Sequence, residues 1–405
     1  MKFILFAIFS LILCSCSNDK PSYNSVNGGY TRSNNYESFD KVFSNYINFK
    51  EFKFDNIIDS SGFLFPPFML NSYEFLYISK ANIVHIVSED RVMSSINLRD
   101  DIIVSNPCKD NNDNIYFQVQ NGTIFSYNIK DRRSPKLNWK TEKDTTNSGL
   151  YSDLVIFNNK IYSSSTSNGL KVYNNKGQLE NYISFNNGLR DFSISENGII
   201  YFASTQDDFN IEDTLFAIKD GSIKYSKSLL GRLYSAPICV NNDIIIPILF
   251  QINGENFVRI VRLDSTGKEV SRIETNKICK FISADSKGNI YTVSDNPGIG
   301  ADVSYLNKYS KEGKKLWELV VDLSVNSPLL VCEDALVFCG ERDSATGLFY
   351  IDKNNGKLLS SISLSSIPAH NLVPVFKSSG GIIFGASKKA GIIVIERSMI
   401  DKILN

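Results

Sequence analysis

Apolar positions along this chain come in short β-rich runs separated by turns of Asn, Asp or Gly, without a sustained helical stripe. After each turn a new run begins, with an aromatic residue or Ile at a fixed place. That place holds Tyr77, Tyr116, Tyr162, Tyr201, Ile246, Tyr291, Phe338 and Phe384, at intervals of 39, 46, 39, 45, 45, 47 and 46 residues. A second set of turns runs in phase. Its glycines, Gly177, Gly221, Gly267, Gly313 and Gly356, are spaced by 44, 46, 46 and 43. Glycine in such a turn supplies a positive φ that other residues disfavour. A short β run precedes each of these turns and another follows, so each unit holds about four strands. Repeats of this length and content mark a β-propeller. The reading is an all-β fold with four-stranded blades, eight by this count, with seven blades plus an irregular segment as the alternative.

The units begin near residues 63, 101, 152, 188, 233, 278, 325 and 370, and the last is short. A ring that fails to join its first and last blades exposes two long edges. The run 46–58, with Phe49, Phe52, Phe54 and Ile57, has the composition to supply the missing outer strand. Residues 46–405 then form a single propeller domain closed by an N-terminal strand.

Charge excludes one class of partner. Lys plus Arg and Asp plus Glu both number 43, so no nucleic-acid footprint is visible. The start of the chain suggests a compartment. A basic Met1-Lys2 precedes an apolar run, Phe3 to Leu13, too short to span a bilayer as a permanent helix. It ends in Leu13-Cys14-Ser15-Cys16, which resembles a bacterial lipobox. The resemblance implies a signal peptide over 1–15 and lipid chains on Cys16, anchoring the chain to a membrane surface without crossing it. Ser17 after the cysteine suggests the outer membrane; periplasmic or outward orientation stays open. Residues 16–45, rich in Asn, Ser, Tyr and Gly, read as a flexible tether. Five further cysteines follow: Cys108, Cys239, Cys279, Cys332 and Cys339. Cys332 with Cys339, or Cys239 with Cys279, could bridge if geometry allows; the competing reading is small buried strand residues.

Two segments carry a more particular resemblance. Lys311-Glu312-Gly313-Lys314-Lys315-Leu316-Trp317 and Asp352-Lys353-Asn354-Asn355-Gly356-Lys357-Leu358-Leu359 resemble the PQQ-like repeat, whose core reads Asp-x-x-x-Gly-Lys-x-x-Trp. Ser235-Ala236-Pro237-Ile238, Asn326-Ser327-Pro328-Leu329 and Phe65-Pro66-Pro67-Phe68 look like the small residue, Pro and apolar run that often open the next strand. In that family the Trp packs between neighbouring blades. Here the position holds Trp317, with Trp139 as its equivalent in the second unit, but Asn181, Tyr225, Ser271 and Ser360 elsewhere. The departures put blade-to-blade packing in doubt at those seams. The repeating aromatics and Trp139 and Trp317 are the expected blade-packing residues.

The family has an enzymatic branch, quinone-dependent dehydrogenases, and a scaffold branch. The latter includes the lipoprotein subunit of the outer-membrane β-barrel assembly machinery. A lipobox and this chain length fit the scaffold branch, so the expectation is a non-enzymatic scaffold with no cofactor. It would present loops to an envelope protein partner, such as a barrel assembly protein, as a monomer within a complex. The rivals are a quinoprotein-type oxidoreductase and a surface lipoprotein that binds a glycan or host ligand. In the assembly subunit a Leu-Arg pair and nearby acids dock on the barrel-forming partner. Leu189-Arg190 is the match in this chain, and the next comparable loop carries Arg232 in place of an acid.

Candidate chemistry is sparse. There are two histidines, His85 in a β run and His370 before the last unit, and no metal-ligand spacing such as Cys-x-x-Cys. Asp110-Asn111-Asn112-Asp113-Asn114 has ligand-type side chains without the spacing of an ion-wrapping loop, and reads as a hairpin turn. Asp207-Asp208 with Glu212-Asp213 reads as a solvent-facing acidic patch, and Gly298-Ile299-Gly300 lacks the helix a phosphate cradle needs. The longer connections 141–151, 205–213 and 295–303 interrupt the repeat and are candidates for partner contact.

Overall fold

The computed structural model describes residues 48–53, most of 68–363, and the strand segments 374–376, 382–385 and 391–396. The signal segment, Cys16, the tether and His370 lie outside the described residues, as do most of the connections 141–151, 205–213 and 295–303. Among the described residues there is no helix, and the strands fall into eight antiparallel sheets. The fold is an all-β propeller.

The second sheet shows the unit: Cys108–Lys109, Asn114–Gln118, Ile124–Asn128 and Lys136–Lys140, hydrogen-bonded in chain order. The first runs from Phe68 to Asn97, the third from Val155 to Ile183, the fourth from Gly188 to Ser228 and the sixth from Ile278 to Val321. The fifth (Arg232 to Thr275) and seventh (Ser324 to Ser363) split their first strand in two. In the eighth, Pro374–Phe376, Ile382–Gly385 and Gly391–Glu396 are joined by Asn48–Lys53. That strand pairs from Asn48 opposite Glu396 to Lys53 opposite Gly391, so a segment over 300 residues away in sequence supplies the sheet's last strand.

Sequence pattern explains which strand goes where. Second strands such as Ile290–Asp295 and Asp243–Ile252 are buried on both faces over most of their length, the latter through the apolar run Ile244 to Phe250. Fourth strands alternate: Lys315–Val321 and Ser222–Ser228 bury every second side chain at most, because one face meets water. The turn between third and fourth strands is equally local in origin. At Asn174–Gln178 the Gly177 N–H donates to Asn174 O (3.0 Å), and φ at Gly177 is +79°. Asn174 Oδ1 accepts the N–H of Lys176 and of Gln178, each at 3.0 Å. Asp264 and Ser310 open equivalent turns ending at Gly267 and Gly313, and Asp352 opens one a residue longer that ends at Gly356. A register shift follows each of them, one residue of bulge per sheet.

Most of the hydrophobic core lies between sheets. One cluster joins Ile86 and Ile96 of the first sheet to Ile115 and Phe117 of the second. Another joins Tyr201 and Leu215 of the fourth to Ile244 and Ile246 of the fifth, and a third joins Tyr291 and Leu306 to Leu336 and Phe338. Among the described residues these clusters bury the faces of one sheet against the next, as expected of stacked repeats.

Cys108, Cys239, Cys279, Cys332 and Cys339 are all buried and none forms a disulfide, so neither candidate pair is bridged. Burial pushes the Cys239 thiol up to about 12 and the Cys339 thiol higher still. We therefore expect a chain beginning at Ser17 to show no reaction with Ellman's reagent while folded, and five thiols in denaturant. A fast-reacting thiol in the folded protein would contradict these positions.

Candidate functional site

Antiparallel order places two kinds of connection at one end of the ring: the hairpin between second and third strands, and the passage from each fourth strand to the next sheet. At the junction of the fourth and fifth sheets these connections are built unusually. Ser222–Ser228 ends the fourth sheet and Arg232–Leu233 begins the fifth. Between them Leu230 has a φ of +50° and is 58% exposed, the highest exposure of any large apolar side chain among the described residues. A leucine in the left-handed region is a genuine outlier.

Asp213, from the loop between second and third strands of the fourth sheet, clasps this passage. Its N–H donates to Gly231 O (2.8 Å), and its own C=O accepts the Leu229 N–H (2.9 Å). Its Oδ2 accepts the Leu233 N–H at 2.7 Å. The expected solvent-facing position of Asp213 is thus corrected: the residue is 1% exposed, because its carboxylate serves as a backbone acceptor between two sheets. Neighbouring Glu212 is exposed and accepts the Ser228 hydroxyl at 2.6 Å. Gly231 lets the chain pass close to the fifth sheet, where a Cβ would lie 2.6 Å from Leu249 O.

The fifth sheet also outgrows its neighbours here. Asp243–Ile252 and Glu255–Leu263 pair as far as Ile252 opposite Glu255, while the flanking strands stop at Leu249 and Val258. The projecting part pairs Phe250 with Phe257 (ring centroids 5.8 Å apart), and the Arg259 guanidinium lies 4.4 Å over Phe250. Ile252 is exposed at the end. Because Arg232 pairs with Leu249, Leu230 runs alongside this projection.

Of the partner residues expected from sequence, Arg232 falls in this feature, half-buried at the start of its strand. Leu189 and Arg190 lie in Gly188–Ile194, at the same end of the fourth sheet. Leu189 pairs with Ser204, and the register shifts between Leu189 and Phe192, so Arg190 sits in a bulge. Their side chains lie outside the described residues. Leu230 was missed by sequence reading. Its signal was faint: an apolar residue before Gly231, in a passage where the repeat needs none.

The expected blade-packing residues fall into two tasks. Tyr116 and Tyr291 lock their own hairpins: each hydroxyl donates at 2.9 Å, to Asp110 Oδ2 and Asp285 Oδ2. Burial, then the charge of Asp110, pushes the Tyr116 hydroxyl far above its usual range. Asp110 Oδ1 also accepts the N–H of Asn112 and of Asn114, both at 2.9 Å, which is the turn the sequence suggested. Tyr77 is buried and stacks on His85 (4.5 Å), whose Nδ1 is 2.8 Å from Ser95 Oγ. Tyr162, Tyr201 and Phe338 are buried in clusters shared with the next or previous sheet. Phe384 lies in Ile382–Gly385 and its side chain is outside the described residues.

Trp139 and Trp317 perform the second task. Each covers the turn glycine of the next sheet and donates its Nε1–H there, to Asn175 O (2.8 Å) and Lys353 O (3.2 Å). The Ser360 side chain lies outside the described residues; at the other seams lacking Trp the doubt resolves into substitutions. Ser271 Oγ donates to Lys311 O (2.9 Å), and Ser94 Oγ to Arg132 O (2.6 Å). The Tyr225 ring covers Gly267, and Asn181 lies against Gly221. Among the described residues no group of three His, Cys, Asp or Glu side chains is placed to hold a metal.

No family model matches this chain, and no curated protein matches it by sequence. Solved structures do. BamB from Moraxella catarrhalis superposes with a TM-score of 0.54 at 11% identity, covering 89% of this chain and 99% of that one. The computationally designed Ika8 protein gives 0.59, also at 11% identity, over 83% of this chain and 96% of that one. At such identity the likeness shows the fold alone.

Proposed function

We propose that this chain is a membrane-tethered, non-enzymatic propeller that presents loops at one end of the ring to a protein partner of the bacterial cell envelope, in the assembly of outer-membrane proteins. The observation that carries the reading is Leu230, an apolar side chain held in water by a buried carboxylate next to an outgrown hairpin. Such a residue adds nothing to the stability of the ring by itself, and an apolar side chain held in a strained, outward conformation suits docking. Leu230 and Arg232 would make the main contact, with Leu189 and Arg190 of the adjoining sheet beside them. The lipobox supports the tether at Cys16, the likeness to BamB supports the propeller, and the resemblance of the repeat segments to the scaffold branch supports the assembly role. Binding of this sort needs no reacting group, only a rigid ring that positions several loops.

The test is affinity purification of the tagged, natively lipidated protein from gently solubilised envelopes, with mass spectrometry of what accompanies it. Recovery of an outer-membrane barrel protein is expected, and a Leu230→Asp change is expected to reduce it at least tenfold. Recovery of the propeller alone would overturn the stable-scaffold reading.

A further inference from the structure

We propose that Asp213 is a positioning residue, which holds Leu230 in a strained, outward-facing conformation in advance of docking. What docks there rests on the function proposed above; the strained clasp stands on geometry by itself.

The left-handed conformation is disfavoured for an ordinary side chain, since Cβ crowds the following carbonyl. An exposed turn left to itself would relax, because water can satisfy its backbone groups in many shapes. This one is over-determined. The two backbone bonds between Asp213 and residues 229 and 231 fix the passage on one side. The bond from the Leu233 N–H to Asp213 Oδ2 fixes the strand that leaves it. Gly231 is wedged against Leu249 O and the Ile248 side chain, so the passage cannot shift toward the fifth sheet. Leu230 lies between the two bonded residues 229 and 231, and its side chain is exposed. Its conformation is therefore imposed by neighbours and not chosen by its own preferences. A leucine already fixed in its bound direction loses less entropy on docking.

Asp213 could equally serve only to join two sheets, with Leu230 an onlooker. The comparison of Leu230→Gly with Leu230→Ala separates the two. Both remove the side chain. In a relaxed turn alanine is the more stable, since glycine frees the unfolded chain. In an enforced left-handed turn glycine is the more stable. We expect L230G to exceed L230A in folding equilibrium constant by roughly fivefold. Asp213→Ala keeps the two backbone bonds and removes only the acceptor of the Leu233 N–H, so added to both it should shrink that advantage, because the strand leaving the passage is released. Asp213→Asn keeps an oxygen acceptor for the Leu233 N–H and should retain most of it. Equilibrium denaturation reads all six chains without any partner.

Alanine at least as stable as glycine in the otherwise unchanged protein would overturn the strain. A glycine advantage undiminished by D213A would overturn the role of the Asp213 carboxylate. The docking arm is separate. At a temperature where D213A is fully folded, it should recover at least tenfold less barrel protein, and add no further loss to L230G. If even the unchanged chain recovers none, the proposed function fails while the denaturation result still decides the clasp.

Discussion

Gly177→Ala lowers stability by roughly 3 kcal/mol, a large effect for one methyl group at a turn. Two costs add. The left-handed conformation at φ +79° disfavours any Cβ by about 1 kcal/mol. The new Cβ also falls 2.5 Å from Cε3 and 2.6 Å from Cδ2 of Trp139, an indole from the preceding sheet. Displacing that ring opens apolar contact and strains the Nε1–H bond to Asn175 O, for about 1–2 kcal/mol more. Gly254→Ala is the control. Its φ is +83°, but nothing lies within 4 Å of the added atom, so strain alone remains. Gly221→Ala should fall between them, since only the end of the flexible Asn181 side chain is in the way. Urea denaturation of the three variants measures the order. A double-mutant cycle with Trp139→Ala completes it: without the indole, Gly177→Ala should cost no more than Gly254→Ala. Equal costs with and without Trp139 would show that the ring does not bear on the turn.

That result touches the part of the fold that was legible in the sequence. The turn glycines and the repeating aromatics are set by local rules. A positive φ needs glycine, a bulge follows the turn, and a doubly packed strand needs an unbroken apolar run. Such rules repeat with the chain and leave a period behind. The seams obey a looser rule. Any side chain that reaches the next turn and either covers it or donates to its carbonyl will serve, so Trp139, Tyr225 and the hydroxyl of Ser271 solve one problem with unrelated residue types. Reading Trp as the requirement made three sound seams look doubtful.

The candidate site was less legible for the opposite reason. Asp213 is a backbone acceptor for residues 16 to 20 positions away, and no local pattern marks it as buried. An acidic residue beside Glu212 reads as a surface charge until the passage it clasps is in view. Leu230 is the reverse case, an apolar residue that reads as core and lies in water. Leu189-Arg190 and Arg232 were reached by resemblance, while Leu230 was brought beside Arg232 by the geometry of the fifth sheet. Both pairs lie at one end of adjoining sheets, so a single partner surface can meet them together.

Asp285→Ala should cost roughly 3–5 kcal/mol, more than the loss of any one hydrogen bond. The residue is 1% exposed. Its Oδ1 accepts the Asn289 N–H at 2.7 Å. Its Oδ2 accepts the Asn289 side-chain amide at 2.7 Å and the Tyr291 hydroxyl at 2.9 Å. Alanine leaves three donors without this acceptor, one of them a hydroxyl on a ring with no exposed surface. A buried donor left unsatisfied costs its full desolvation, about 1–3 kcal/mol. The damage also spreads across a seam, because the turn that Asp285 shapes offers Gly288 O to the buried Arg262 guanidinium of the fifth sheet at 2.8 Å. Tyr291→Phe alone should cost only about 1 kcal/mol, since it removes a donor and leaves the carboxylate two others. The informative variant is the double one. With the hydroxyl gone, Asp285→Ala should become milder by about 1–2 kcal/mol, as the orphaned donor no longer exists. Strict additivity would mean that the hydroxyl finds another acceptor, and that the aromatic anchor holds its hairpin by packing alone. The same cycle at Asp110 and Tyr116 has the same geometry and should give the same sign. Agreement between the two would establish the Asp-to-Tyr bond as a repeated element of the blade, used where the chain carries Asp-x-x-x-Asn-x-Tyr and replaced elsewhere. Ser195 of the fourth sheet is such a replacement: its Oγ accepts the Ile199 N–H at 3.0 Å, in the place the carboxylate occupies in the second and sixth sheets.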